Sequence, residues 1–186
     1  MKFKLPFIVN TAALVGVLLT LCLTVMYRIR HQGWMLTAAI SAGATAYHFL
    51  MRLAVGYLVP RLTNYDFDYR HRWFQPRPWE PGFYKKLGIK SWKKHLPTYV
   101  PAQFSLEENS LHRIIQNMCG AEVVHETIMA LCFLPLLAVP VFGEFPVFFI
   151  TSVLSALFDS LFVLVQRFNR PRLVKIYEKQ EAKAHE

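Results

Sequence analysis

The chain has 186 residues, 54% of them hydrophobic, with a positive mean hydropathy and a formal net charge of +9. That is the length of one ordinary domain, and so apolar a composition argues against a soluble globule and for a small integral membrane protein. Cys22, Cys119 and Cys132 match neither a zinc knuckle nor a CxxC pair, which leaves them as small buried hydrophobes.

Residues 1–5 carry Lys2 and Lys4 and lead into an apolar run over 6–27. The run is long for a signal peptide and no A-x-A site follows it, so it reads as an uncleaved first span. Arg28, Arg30 and His31 form a short basic loop, and 34–59 supplies a second span ending at Pro60. The positive charge concentrates in 61–113 and 167–183, while the stretch around Gly143 and Glu144 has none. The positive-inside rule therefore places both basic regions in the cytoplasm, outweighing Arg28 and Arg30. Within the second span Ser41, Thr45, His48 and Arg52 form a polar stripe that must face the bundle interior, or else Arg52 snorkels and His48 is a packed core residue.

The segment 60–104 is rich in proline, aromatics and cations. Prolines 76, 78, 81, 97 and 101 forbid one helix, so loops with short helical pieces are expected. Tryptophan and tyrosine among lysine and arginine is the composition of a membrane interface. Single-strand nucleic-acid binding uses the same residue types, but the flanking spans set that partner aside.

Ser105 and Glu108 have capping-box spacing, which predicts a helix starting there. From it Leu111, Ile115, Met118, Glu122, His125 and Met129 fall on one face, and the helix runs on through an apolar stretch to 142 as the third span. A carboxylate and an imidazole one turn apart at a membrane boundary need each other, a partner or a substrate. The last span covers 145–168, and its Ser152, Ser155, Asp159 and Gln166 form a third stripe. Arg52 or His48 is the natural partner of Asp159. Pro171 is expected to end this helix. Arg167, Arg170 and Arg172 then cluster as a bidentate site for phosphate or carboxylate, or as a stop-transfer anchor. The expected fold is an all-α single membrane domain, 1–186, a bundle of about four transmembrane helices (6–27, 34–59, 105–142, 145–168). A polar interfacial segment lies between helices two and three, and a basic tail occupies 169–186.

QRFNRPRL (166–173), AEVVH (121–125) and the 83–94 region with Tyr84, Trp92 and Lys93 resemble the glycosyl-4,4'-diaponeurosporenoate acyltransferases, over residue 74 onward. The resemblance implies a multi-pass membrane enzyme of carotenoid biosynthesis that esterifies a sugar hydroxyl of a carotenoid glycoside with a fatty acyl chain. Such transfer needs a base, a means of stabilising the oxyanion and a site for the donor. His125 suits the base, with Glu122 orienting its imidazole. Asn169 and Arg170 suit the carbonyl or an anion. Lys93, Lys94, Arg77, Arg167 and Arg172 would meet a phosphate-bearing donor, an acyl thioester or phospholipid, beside Trp92 and Tyr84. His48, Arg52 and Asp159 would line the groove for substrate. No G-x-S-x-G elbow is present, so direct transfer without a cofactor is expected, at the cytoplasmic boundary of the cell membrane. Two other classes stay open. One is a metal- or cofactor-using lipid enzyme, with His48, His95, His112 or Asp159 joining the Glu122/His125 pair, although a second E-x-x-H is lacking. The other is a non-catalytic transporter or accessory protein, for which homodimers would serve.

Overall fold

The computed structural model describes residues 5–184, so Lys2, Lys4 and the last two residues of the basic tail lie outside the described residues. The elements in order are α1 (Leu5–Arg30), α2 (Gly33–Thr63), α3 (Glu80–Lys86), α4 (Ile89–Trp92), α5 (Leu111–Leu131), α6 (Val139–Phe142) and α7 (Phe145–Ala184). Short 3-10 turns at Lys93–His95, Pro101–Phe104 and Leu134–Ala138 join them, and no strand occurs among the described residues. Three stretches are long and apolar enough to cross a membrane: Leu5–Arg30, Leu111–Phe142 and Phe145–Ala184. α2 is long enough but less apolar, because alanine, glycine, Ser41, Thr45, His48 and Arg52 dilute its aliphatic residues.

Four boundaries differ from those expected. Ser105 does not open a helix; its Oγ accepts from the Glu107 N–H at 3.2 Å within a turn. α5 starts one turn later, where the Ser110 Oγ accepts from the Arg113 N–H at 3.2 Å as an N-cap does. α5 also stops at Leu131, because Pro135 enters the following 3-10 turn and cannot donate to the ladder. α2 passes Pro60 and ends at Thr63. α7 continues through Pro171, which loses a hydrogen bond but does not end the helix. Packing on both sides of that proline holds it: Arg167 and Arg170 are anchored before it, and Leu173, Val174 and Tyr177 pack on the core after it.

The chain divides into two compact units, Met1–Tyr57 with Thr127–Asp159, and Leu58–Glu126 with Ser160–Glu186. In the first, Ile40, Ala44 and Phe148 form the core, and a Cβ on Gly16 would meet Ala46 at 3.0 Å. α1 and α2 thus approach through small side chains. Cys119 and Cys132 are buried as expected, but Cys22 is exposed, since α1 buries only Ala13. Tyr47 donates to the Leu131 carbonyl at 2.9 Å, satisfying one of the free carbonyls at the end of α5.

In the second unit Tyr69, Phe74, Ile115 and Cys119 form the core. The irregular stretches before α3 and after α4 are tied to α5 by side-chain amides. Gln116 accepts from the Phe67 N–H at 2.7 Å and donates to its carbonyl at 2.8 Å, and Asn117 donates to the Gln103 carbonyl at 2.7 Å. These bonds satisfy backbone groups that no ladder pairs. Gly120 is required by a close approach, because a Cβ there would lie 2.3 Å from the Tyr65 ring. Gly120→Ala is expected to cost about 1–3 kcal/mol, as overpacking does. The cost should shrink in a Tyr65→Ala background on thermal unfolding of the purified protein. An equal cost in both backgrounds would remove the clash as its cause.

Candidate active site

Glu122 lies on α5 with its side chain fully buried, and both its oxygens are taken by guanidiniums of α7. Arg167 Nη1 donates to Oε1 at 2.7 Å, and Arg170 Nη1 donates to Oε2. The carboxylate that helical spacing aimed at His125 is thus spent on arginine, whose fork geometry matches it better than an imidazole one turn away. Arg167 uses all five of its N–H donors. Nε and Nη2 donate to Glu80 Oε1 at 2.9 and 2.6 Å, Nη1 also donates to the Trp73 carbonyl at 3.0 Å, and Nη2 to the Gln75 carbonyl at 3.1 Å. Arg170 donates to the Phe74 carbonyl at 2.7 Å and lies over the Phe74 ring. Two carboxylates and two guanidiniums cancel in charge, and together they grip three successive carbonyls. Of the phosphate or carboxylate expected at Arg167 and Arg170, the structure supplies carboxylates from within the chain, Glu80 and Glu122.

Tyr84 joins the network by donating to Glu80 Oε2 at 2.9 Å. Burial, then the Glu80 bond and charge, push its phenol pKa up, so it stays a donor. Sequence reasoning missed Glu80, the one acid between Asp68 and Glu107. That isolation among cations was the available signal. It also missed Trp73, whose Nε1 donates to Glu126 Oε2 at 2.8 Å.

His125 is half-buried and stacks face to face on Phe162, with centroids 4.6 Å apart and rings within 9° of parallel. Beyond it, between the first turns of α5 and the middle of α7, lies a cleft of about 520 Å³. Phe104, Ile114, Met118, Leu173 and Ile176 give it apolar walls, and Gln166, Asn169 and Arg172 a polar edge. On α7 Phe162, Gln166, Asn169, Leu173 and Ile176 follow one another at three- and four-residue steps, so the histidine stack continues the line of the cleft. Lys93 donates to Asn169 Oδ1 and sits 4.6 Å from the Phe168 ring centroid. A lysine offers only donors, so this bond turns the Asn169 carbonyl toward Lys93 and leaves its NH2 as the remaining donor group. Trp92 is half-buried, donating to the Leu87 carbonyl at 2.9 Å, and Arg77 is exposed.

In the other unit Arg52 pairs with Asp159, as the two stripes suggested, and also donates to Ser155 Oγ at 2.7 Å. His48 is not that partner. It is buried with neither ring nitrogen bonded, and Ser152 Oγ is likewise buried and unpaired. His95 and His112 are exposed, and no group of three His, Cys, Asp or Glu able to hold a metal occurs among the described residues.

A family model described as glycosyl-4,4'-diaponeurosporenoate acyltransferase matches residues 70–179, more than half of the chain. No curated protein and no solved structure matches. The matched segment contains the whole ion network, the His125 stack and every residue of the cleft. The chain belongs to the glycosyl-4,4'-diaponeurosporenoate acyltransferase family.

Proposed function

We propose that the protein is a four-span membrane acyltransferase that moves a fatty acyl group onto a hydroxyl of a lipid or glycolipid acceptor of the carotenoid-glycoside kind, with its site at the cytoplasmic boundary. The observation that carries this reading is the alignment of His125 with an apolar cleft edged by Gln166, Asn169 and Arg172, all inside the family segment. A fatty chain lies along the apolar walls, and its carbonyl comes to the histidine end. His125 takes the acceptor's hydroxyl proton as the oxygen attacks the acyl carbonyl carbon. The ester C–O bond forms, the bond to the donor's leaving group breaks, and the imidazolium returns its proton to that group. The Asn169 NH2 group, fixed by Lys93, is the donor for the polarised carbonyl oxygen. Glu122 serves the site by fixing α5 against α7.

The test is mass spectrometry of lipid extracts from cells with and without the protein. An acylated glycolipid or other lipid ester that appears only with the protein is the expected result, and identical profiles would sink the reading. Topology is checked separately with Glu144→Cys and Gln180→Cys. Position 180 should react with a membrane-impermeant thiol reagent only after permeabilisation and position 144 in intact cells. The reverse pattern would place the basic segments outside.

A further inference from the structure

Among the described residues no acid pairs with Lys93 or Arg172, the cations beside the cleft. Lys93 donates to the neutral Asn169 and lies over the Phe168 ring. Burial, then the nearby charges of Arg172 and Lys90, hold its pKa below the usual lysine range. The ion network described above is electrically complete, so it leaves no spare carboxylate for them. Like charges brought together beside an apolar cavity mark a site whose counter-charge arrives with the ligand. A glycoside acceptor is polar but uncharged and makes no use of these cations. An acyl donor activated on a phosphate-bearing head does.

We infer that the cleft is the donor site, taking a single acyl chain between Phe104, Ile114, Met118 and Leu173 while Lys93 and Arg172 hold the phosphates of its head. The inference rests on the acyl-transfer reading and adds to it which substrate the cleft receives and by which residues. Asn169 links the two halves of the site, since it lines the cleft and carries Lys93. Two sources share this chemistry: an acyl thioester of a phosphorylated carrier, and an acyl phospholipid.

The experiment uses the purified full chain in a neutral detergent, with hexadecyl phosphate as probe and native mass spectrometry to count bound molecules. One molecule is expected to bind. Affinity should fall about tenfold in Lys93→Gln and in Arg172→Gln, the loss of one charge-assisted contact. Met118→Trp, which fills an apolar wall and alters no charge, should abolish binding. Hexadecanol binding as tightly as the phosphate, or full affinity in Met118→Trp, would overturn the inference. Lys93→Arg should keep most of the affinity, which separates lost charge from lost fold. Competition by palmitoyl coenzyme A or by phosphatidate then names the source. Binding that survives in His125→Ala while no lipid ester forms in cells with the wild type would keep the site and discard acyl transfer.

Discussion

Replacing Glu122 by alanine is expected to cost about 3–5 kcal/mol of folding stability, the usual loss when one partner is removed from a buried ion pair. The Arg170 side chain is 2% exposed and that of Glu122 0%, so the pair is closed to bulk solvent. Arg167 would keep Glu80, but Arg170 would keep no carboxylate, holding to the Phe74 carbonyl, the Cys119 sulfur and a ring face. The thermal midpoint of purified protein in detergent is the measurement. The double variant Glu122→Met with Arg170→Met should lose less than Glu122→Ala alone, because it buries no unpaired charge. If the double loses more than the single, the network is not the reason for the effect.

His125→Ala is expected to lower ester formation by about 10²–10⁴-fold, the usual contribution of a positioned general base. The lost stack on Phe162 accounts for about 1 kcal/mol of its structural cost. His125→Phe keeps a ring on Phe162 and removes the base, so it should retain that packing and show the same fall in rate as His125→Ala. Rates are read as labelled lipid ester formed per minute in isolated membranes. Full activity in a folded His125→Phe variant would take the base role away from this residue.

Local periodicity made much of this fold legible. Runs of apolar residues gave the long helices, and the three- and four-residue stripes led to the Arg52–Asp159 pair. Boundaries set by competing local signals were harder. Ser105 and Ser110 both have capping chemistry, and the segment just after Ser105 is held in a turn by Asn109, which donates to the Ala102 carbonyl at 2.7 Å. Pro171 reads as a stop in any single helix, and only distant packing lets α7 pass through it. The partner of Glu122 was hidden for a similar reason. Spacing shows what lies one turn away, namely His125, whereas the residues that take its oxygens lie 45 and 48 positions along the chain. Glu80 was overlooked because its burial comes from a loop, where no period exists to display an inward face.

The ion network also fixes an order of events during synthesis. Glu80 and Glu122 leave the ribosome first, and Arg167 follows the second of them by 45 residues. At about 5–20 residues per second the two carboxylates wait several seconds for their guanidiniums. Until then the Trp73, Phe74 and Gln75 carbonyls have nothing to hold them in place either. A chain released before Arg167 is therefore not a smaller version of the protein. It is an unfinished one, with two acids that must stay in water and a loop open to proteolysis.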